Sequence, residues 1–308
     1  RVELAITCEL RGPRGELPAR HTQRVTVLAS GAVALENVAD VTASETESLA
    51  RVGLRFRVPR AAAAHVRWYG RGPHENYPDR RRSAGVHVHS QTAEALGEEL
   101  TKGYVYPQAC GARTDVRWLA VQPSPGPAAS SDAPGLLICG SQPLSFALLP
   151  ASDEAIEAAA HPHELLNAPG TEADSPLHLS IDHRSMGVGG DVGWLRTVRP
   201  EYMVPAGTHR WTLILSPLAG ATGQDDLLAA AAPVLPPDLI DRVQRSVVHE
   251  ATPWSRRVAT FWLPAPPVKR AVAVAVWAAA APLFVSWMWA ALMGSGEQDG
   301  MMGGGPGR

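Results

Sequence analysis

The sequence predicts an all-β fold: a large antiparallel β-sandwich, carrying a short helical extension at its C-terminal end. Three observations predict it. Up to about Leu218 the apolar residues come in short, β-branched runs rather than at helical spacing. Gly, Pro, Asn and Asp bound those runs, as turns between sandwich strands require. No regular strand–helix alternation appears, which disfavours a doubly wound α/β sheet.

The elements follow in order. Val2, Leu4 and Ile6 alternate with Glu3 and Thr7 among others, so the chain opens on a strand. It starts at Arg1 without a leader-like segment, which predicts a fragment beginning inside a domain. Further strands are expected at Arg24–Leu28, Val52–Val58, His65–Tyr69 and Val116–Val121. Leu136–Cys139, Leu144–Leu149, Leu177–Ile181 and Trp211–Leu215 complete the set. Ser30-Gly31 suits a hairpin turn before Ala32–Val38. Pro123 to Pro134 reads as a surface loop, and Ala151 to Ala160 as a short helix. Two or more sheets must then pack face to face to bury their apolar sides.

This gives a sandwich over 1–218, a linker over 219–268 and a hydrophobic tail over 269–308. In the linker Leu239, Ile240, Val243 and Val247 suggest an amphipathic helix that serves packing. In the tail, Ala271 to Met293 carries no charge and follows Lys269 and Arg270. That exceeds the length of about 20 apolar residues that a bilayer core demands. Trp277, Trp287 and Trp289 would suit its interfaces, with the basic flank on the cytoplasmic side. Its Ala-rich composition and central Pro282 argue the other way, so anchor and artefact both stay open.

Composition excludes several function classes. The formal net charge is −2 and the pI is near 6.6, so no global field draws nucleic acid. The local run Arg80, Arg81 and Arg82 lies beside Asp79 and Glu75 and reads as a partly neutralised, solvated turn. Cys8, Cys110 and Cys139 are far apart and lack zinc-ligand spacing. His87 with His89, and His161 with His163, have no third ligand at a persuasive spacing, so no metal site is expected.

Two segments hold candidate chemistry. In Trp68-Tyr69-Gly70-Arg71-Gly72-Pro73-His74-Glu75-Asn76-Tyr77-Pro78-Asp79-Arg80, Glu75 and Asp79 invite comparison with a glycosidase pair. Such a pair must stand about 5–5.5 Å apart across a sugar in a retaining enzyme. Pro78 denies them a common helical face, and turn-forming bonds from Asn and Asp to backbone are the favoured reading. The second segment runs from Ile181 through Asp182, His183, Ser185 and the glycines 187, 189, 190 and 193 to Trp194. No strand–helix unit encloses these glycines, which excludes a dinucleotide cradle. Asp182 and His183 are adjacent on an extended chain, so they point to opposite faces and do not form a triad. Trp194 after a glycine-rich turn suits an aromatic plate for the apolar face of a sugar, although a lone Trp is more often core.

Taken together and in order, these segments resemble lacZ-type β-galactosidases of glycoside hydrolase family 2, in their C-terminal small-chain (domain 5) region. WYGRGPHENYPDR is similar to "W-G-GP-ENYPDR". Tyr104, Val105, Pro107, Gln108, Gly111 and Arg113 resemble "Y-V-PQENG-R", with Ala109-Cys110 departing from Glu-Asn. His163-Glu164-Leu165 resembles "H-EL". Met186-Gly187-Val188-Gly189-Gly190-Asp191 with Trp194 resembles "MG-GGD-SW", with Val192-Gly193 departing before the tryptophan. The likeness covers about Arg24 to Leu218.

The resemblance implies a supersandwich of galactose mutarotase-like shape that follows a catalytic TIM barrel and closes one side of its pocket. It implies that Trp194 binds the β-galactoside, and that this chain holds no catalytic residue. The nucleophile, the acid/base and the Mg and Na ligands belong to the absent barrel, present in the same chain or as a large subunit. The chain alone is accordingly expected to be inactive, and the complete enzyme to be a homo-oligomer in the cytoplasm. The alternative from a different class is a stand-alone carbohydrate-binding or structural sandwich, tethered to a membrane through 271–293.

Overall fold

A computed structural model describes residues 1–10, 19–42, 48–102, 104–123, 135–165, 171–172, 174–190 and 198–218. The strands are β1 (Val2–Leu10), β2 (Ala19–Val27), β3 (Val33–Val41), β4 (Arg51–Val58), β5 (His65–Gly72) and β6 (Gly85–Thr92). Helix α1 (Ala93–Lys102) separates these from β7 (Arg113–Gln122) and β8 (Gly135–Leu149). Helices α2 (Asp153–Ala158) and α3 (Pro162–Leu165) precede β9 (Leu177–Ser185) and β10 (Gly207–Leu218). All strand pairs are antiparallel, in the order β1-β2-β3-β10-β8-β7-β5-β6, with β4 joined through β9 to β8. The described fold is the expected all-β sandwich class.

Strand β8 is the branch point of this network. Its first part, Gly135–Gly140, pairs β10 on one side and β7 on the other. From Ser145 onward it pairs β9 instead of β10. The sequence suggests two strands here, because Gly140 and Pro143 interrupt the pattern. The chain instead bends and continues as one strand. A Cβ on Gly140 would lie 2.7 Å from the Gln142 carbonyl oxygen, so only glycine permits so tight a bend. Both layers of the sandwich therefore grow from one curled sheet rather than from two separately bonded ones.

Both faces of the central strands are covered. Trp68 and Leu119 are cross-strand neighbours on one face. There Trp68 meets Phe146 edge-on, at 5.5 Å between ring centroids. On the other face Trp118, Ala120, Leu137, Cys139 and Leu218 pack together, flanked by Tyr69 and Val88. Burying an indole of this size typically stabilises a fold by roughly 3–5 kcal/mol relative to alanine. A third cluster, Leu100, Cys110, Leu149, Ala151, Ile156 and Leu165, docks the three helices on the end of β8.

Helix α1 was not apparent from the strand-and-turn pattern. Its buried positions Ala93, Leu96, Gly97 and Leu100 recur at helical spacing. The hydroxyl of Thr92 accepts the Ala95 amide at 3.2 Å and caps it. It follows β6 without a linker, so no turn residues announce it. The expected helix at 151–160 is present as α2, where Ser152 accepts the Ala155 amide at 3.1 Å. Among the described residues, no helix is long and apolar enough to cross a membrane. The loop after Pro123, the 219–268 linker and the 271–293 run lie outside the described residues.

Candidate functional site

The loop after β5 is built from side-chain bonds to backbone. Asn76 is buried, donates to the His74 carbonyl at 3.0 Å, and accepts the Thr114 amide and hydroxyl at 3.0 and 2.6 Å. Tyr77 and Arg80 exchange backbone bonds of 3.1 and 2.9 Å, closing a turn with Pro78 and Asp79 at its tip. Glu75 accepts the Gly111 amide at 2.8 Å, the Tyr77 phenol at 3.1 Å and the Tyr104 phenol. Burial, reinforced by the Glu75 charge, pushes both phenols above their ordinary range, so they remain donors. Glu75 thus ties together 77, 104 and 111, a link that the expected Asn and Asp turn bonds do not include.

Asp79 points to a different segment. Its Oδ1 accepts the Val188 amide at 3.0 Å and its Oδ2 the Gly189 amide at 2.7 Å. Arg80 Nε donates to the Gly189 carbonyl at 3.0 Å, and its Nη2 donates to the same oxygen. Residue 189 is therefore gripped at both its amide and its carbonyl. Two amides upstream are also assigned: Met186 to the Ala50 carbonyl at 3.0 Å and Gly187 to that of Tyr202 at 2.9 Å. Gly189 and Gly190 have φ of 65° and 85°, a region that glycine enters freely. A Cβ on Gly187 would lie 2.4 Å from Asp79 Oδ2, so the carboxylate can approach only because none is there. The two sequence segments that held candidate chemistry are thus one structural unit.

Arg113 supports that unit from behind. It is fully buried and forms a two-point ion pair with Glu99 of α1, at 2.6 and 2.9 Å. It also donates to the carbonyls of Pro73 and Gly111 and to Gln91, and its guanidinium lies 5.7 Å from the Trp68 ring centroid. A planar fork of five donors meets this geometry and a lysine would not. Glu99 was missed from the sequence because its helix was missed. Next to it, Cys110 is pushed up to about 12 by burial and by the charges of Glu75 and Glu99.

The remaining candidates fall apart as sites. Asp182 pairs with Arg51 at 3.1 Å, whereas His183 stacks on Trp211 at 5.3 Å and contacts Gln142. Burial raises the Asp182 carboxyl to about 6. His89 lies against Trp68 and His87, and burial lowers its pKa. His161 contacts Glu164 at 2.8 Å and stacks on His163. Arg81 sits 3.4 Å from Asp115, so the arginine run is partly neutralised by a residue of β7 rather than by the adjacent Asp79 and Glu75, whose carboxylates bond to other segments. Among the described residues no three His, Cys, Asp or Glu side chains gather to hold a metal. Trp194 lies outside the described residues.

A sequence profile of the beta-galactosidase small chain matches residues 3–215. The chain belongs to that family. In this small-chain domain the match begins at residue 3, earlier than the Arg24 suggested by motifs alone, so β1 and β2 are included. Beta-galactosidases of Vibrio cholerae and Priestia megaterium are each 34% identical, over 179 and 177 residues. Those matches cover 58% and 57% of this chain and 15% of each relative. The beta-galactosidase of Pseudoalteromonas haloplanktis is 30% identical over 217 residues, 70% of this chain and 18% of the relative. The matched region is thus less than a fifth of these curated relatives.

Proposed function

We propose that this small-chain domain is part of a β-galactosidase acting on terminal β-D-galactosides, in which it shapes the sugar pocket while the catalytic glutamates reside in a TIM-barrel region. Trp194 is the residue that meets the sugar, offering an indole to the apolar face of the ring. Mg and Na would act in that barrel region.

The observation that carries the reading is the Asp79–Arg80 grip on residues 188–189. It joins the two family motifs, and Trp194 follows the held segment closely in the sequence. The carboxylates give further support. Glu75 and Asp79 each accept two or more structural hydrogen bonds, and they do so from different segments rather than facing one another.

The test has two arms. The purified chain, given a chromogenic β-galactoside, is expected to show no turnover, and a rate equal to a complete enzyme's would refute the division of labour. In the complete enzyme, Trp194→Ala should raise KM for galactosides by about tenfold, as loss of one stacking partner does. Unchanged kinetics across several galactosides removes Trp194 from the pocket.

A further inference from the structure

Among the described residues, three of the six large apolar side chains that stand exposed lie on one strand, β1: Val2 at 58%, Leu4 at 42% and Leu10 at 54%. Their side of the strand is the inner side of the sheet. Leu4 lies opposite Val25, Val25 opposite Leu35, and Leu35 opposite Leu213. The last three are buried and Leu4 is not. Val2, Val27, Val33 and Leu215 form a second such row, and Ile6, Gln23, Asn37 and Trp211 a third. The core face of the sheet therefore continues onto β1 with its outermost apolar side chains in water.

Strand β1 also has one neighbour among the described residues, β2, and so do β4 and β6 with β9 and β5. On β4 the exposed positions are Gly53, Arg55 and Arg57, and on β6 they are Gly85, His87, Ser90 and Thr92. Charged and polar side chains keep a sheet edge from pairing, whereas an apolar edge is a template for another strand.

We propose that β1 is the interface between two copies of this chain, which pair antiparallel through it about a two-fold axis at Ala5. Residue types select that register. With Ala5 opposite Ala5 of the partner subunit, Val2 meets the partner's Cys8 and Leu4 meets the partner's Ile6. Arg1 then meets the partner's Glu9, the same match of sign by which Glu9 pairs with Arg20 across β1 and β2 at 3.2 Å. Unlike charges directly opposite favour a register and like charges disfavour it. Moving the axis to Ile6 would set Glu3 against the partner's Glu9, and moving it to Leu4 would leave Arg1 opposite the partner's Thr7. A slip by one residue would turn the partner's apolar stripe to the other face. Both copies present the same strand, as a two-fold interface requires. The ladder is short, so the dimer is reversible and at the small end of specific interfaces. This pairing goes beyond the proposed sugar site and does not depend on it.

Size-exclusion chromatography with light scattering, run on the whole chain from about 1 to 200 µM, reads the association. The mass should rise with concentration from 32.7 kDa toward twice that value. Leu4→Lys puts a charge on the edge at an exposed position and should weaken dimerisation by about tenfold or more. If Leu4→Lys does not fold, Val2→Lys gives the same reading at a more exposed position. Cross-linking reads the register. In a Cys8→Ser background, Ala5→Cys brings two cysteines face to face with Cα atoms about 4.5–5.5 Å apart, within disulfide reach. Thr7→Cys is exposed on the same side of β1 but lies opposite the partner's Glu3. Under mild oxidation the Ala5→Cys dimer should form about tenfold faster than the Thr7→Cys dimer. Cys110 and Cys139 are buried and stay out of the reaction.

Three outcomes decide. A mass that rises with concentration, is lost in the lysine variant and comes with the preference for cross-linking at Ala5 supports the proposal. A chain that stays monomeric throughout overturns it and leaves the edge to a different strand, such as one from the remainder of a longer β-galactosidase. A dimer that survives the lysine variant, or that cross-links equally at both positions, uses another surface or register and overturns it as well.

Discussion

Asp182→Asn isolates a buried carboxylate whose charge the fold tolerates poorly. The side chain lies on β9 beside Gly53 of β4, where the ladder is interrupted by a bulge. Arg51 Nε donates to it at 3.1 Å, yet burial outweighs that attraction and lifts the carboxyl from an ordinary 3.8 to about 6. An acid with a raised native pKa keeps its proton in the folded chain after the unfolded chain has released it. Stability from this group is therefore complete below about 3.8 and is lost as pH rises through about 6. Two pKa units correspond to about 3 kcal/mol.

Urea unfolding followed by tryptophan fluorescence, at several values between about pH 4 and pH 7, measures the effect as wild type minus variant. The wild type should lose about 2.4 kcal/mol relative to Asp182→Asn across that interval, the rest of the effect lying below pH 4. Subtracting the two chains cancels titrating groups that are not coupled to Asp182, and Asp153 is the nearby carboxylate that is coupled to it. A difference that grows in favour of the wild type with rising pH would mean that Arg51 dominates and the native pKa is depressed. A flat difference would mean that desolvation and pairing cancel. Either refutes the argument.

Two further predictions follow from buried groups. Glu99→Ala leaves the guanidinium of Arg113 fully buried with carbonyls and Gln91 alone, so unfolding free energy should fall by about 3 kcal/mol. A loss below about 0.5 kcal/mol in urea would show that the ion pair contributes no more than an exposed one. Iodoacetamide at mildly alkaline pH should modify Cys8, which is partly exposed, well before Cys110 and Cys139, which are buried and whose thiols burial holds protonated. Peptide mapping that finds three equal rates would contradict the burial of β7–β8 and the helix cluster.

What the sequence made legible is what local chemistry determines. Alternation marked β4 and β5 because Val52, Leu54, Phe56 and Val58, then Val66 and Trp68, all turn inward. Turn chemistry marked the 73–80 loop, and Asn76 holds it as an Asn in a turn should. Opposed orientation correctly separated Asp182 from His183. The partnerships between distant segments were not legible. Asp79 and Gly189 are 110 residues apart, and Glu99 and Arg113 meet only after α1 folds against β8. A buried polar seam, in which Gln23 donates to Asn37 at 2.8 Å and Trp211 stacks between His21 and His183, was equally hidden. Its one advance signal is a polar residue at an inward strand position, seen at 23 in β2 and 37 in β3.

The glycines of the second motif show why motif and geometry must be combined. Read alone, Gly187, Gly189 and Gly190 suggest a flexible turn, since glycine has the widest backbone freedom. In the fold, the missing Cβ at Gly187 admits a carboxylate and the positive φ at Gly189 and Gly190 bends the chain around it. The residue type that costs most entropy to order is used where the most hydrogen bonds are available to order it. The two segments are therefore one constraint written twice: the carboxylate at 79 needs bare backbone at 187, and the amides of 188 and 189 need the carboxylate as their acceptor.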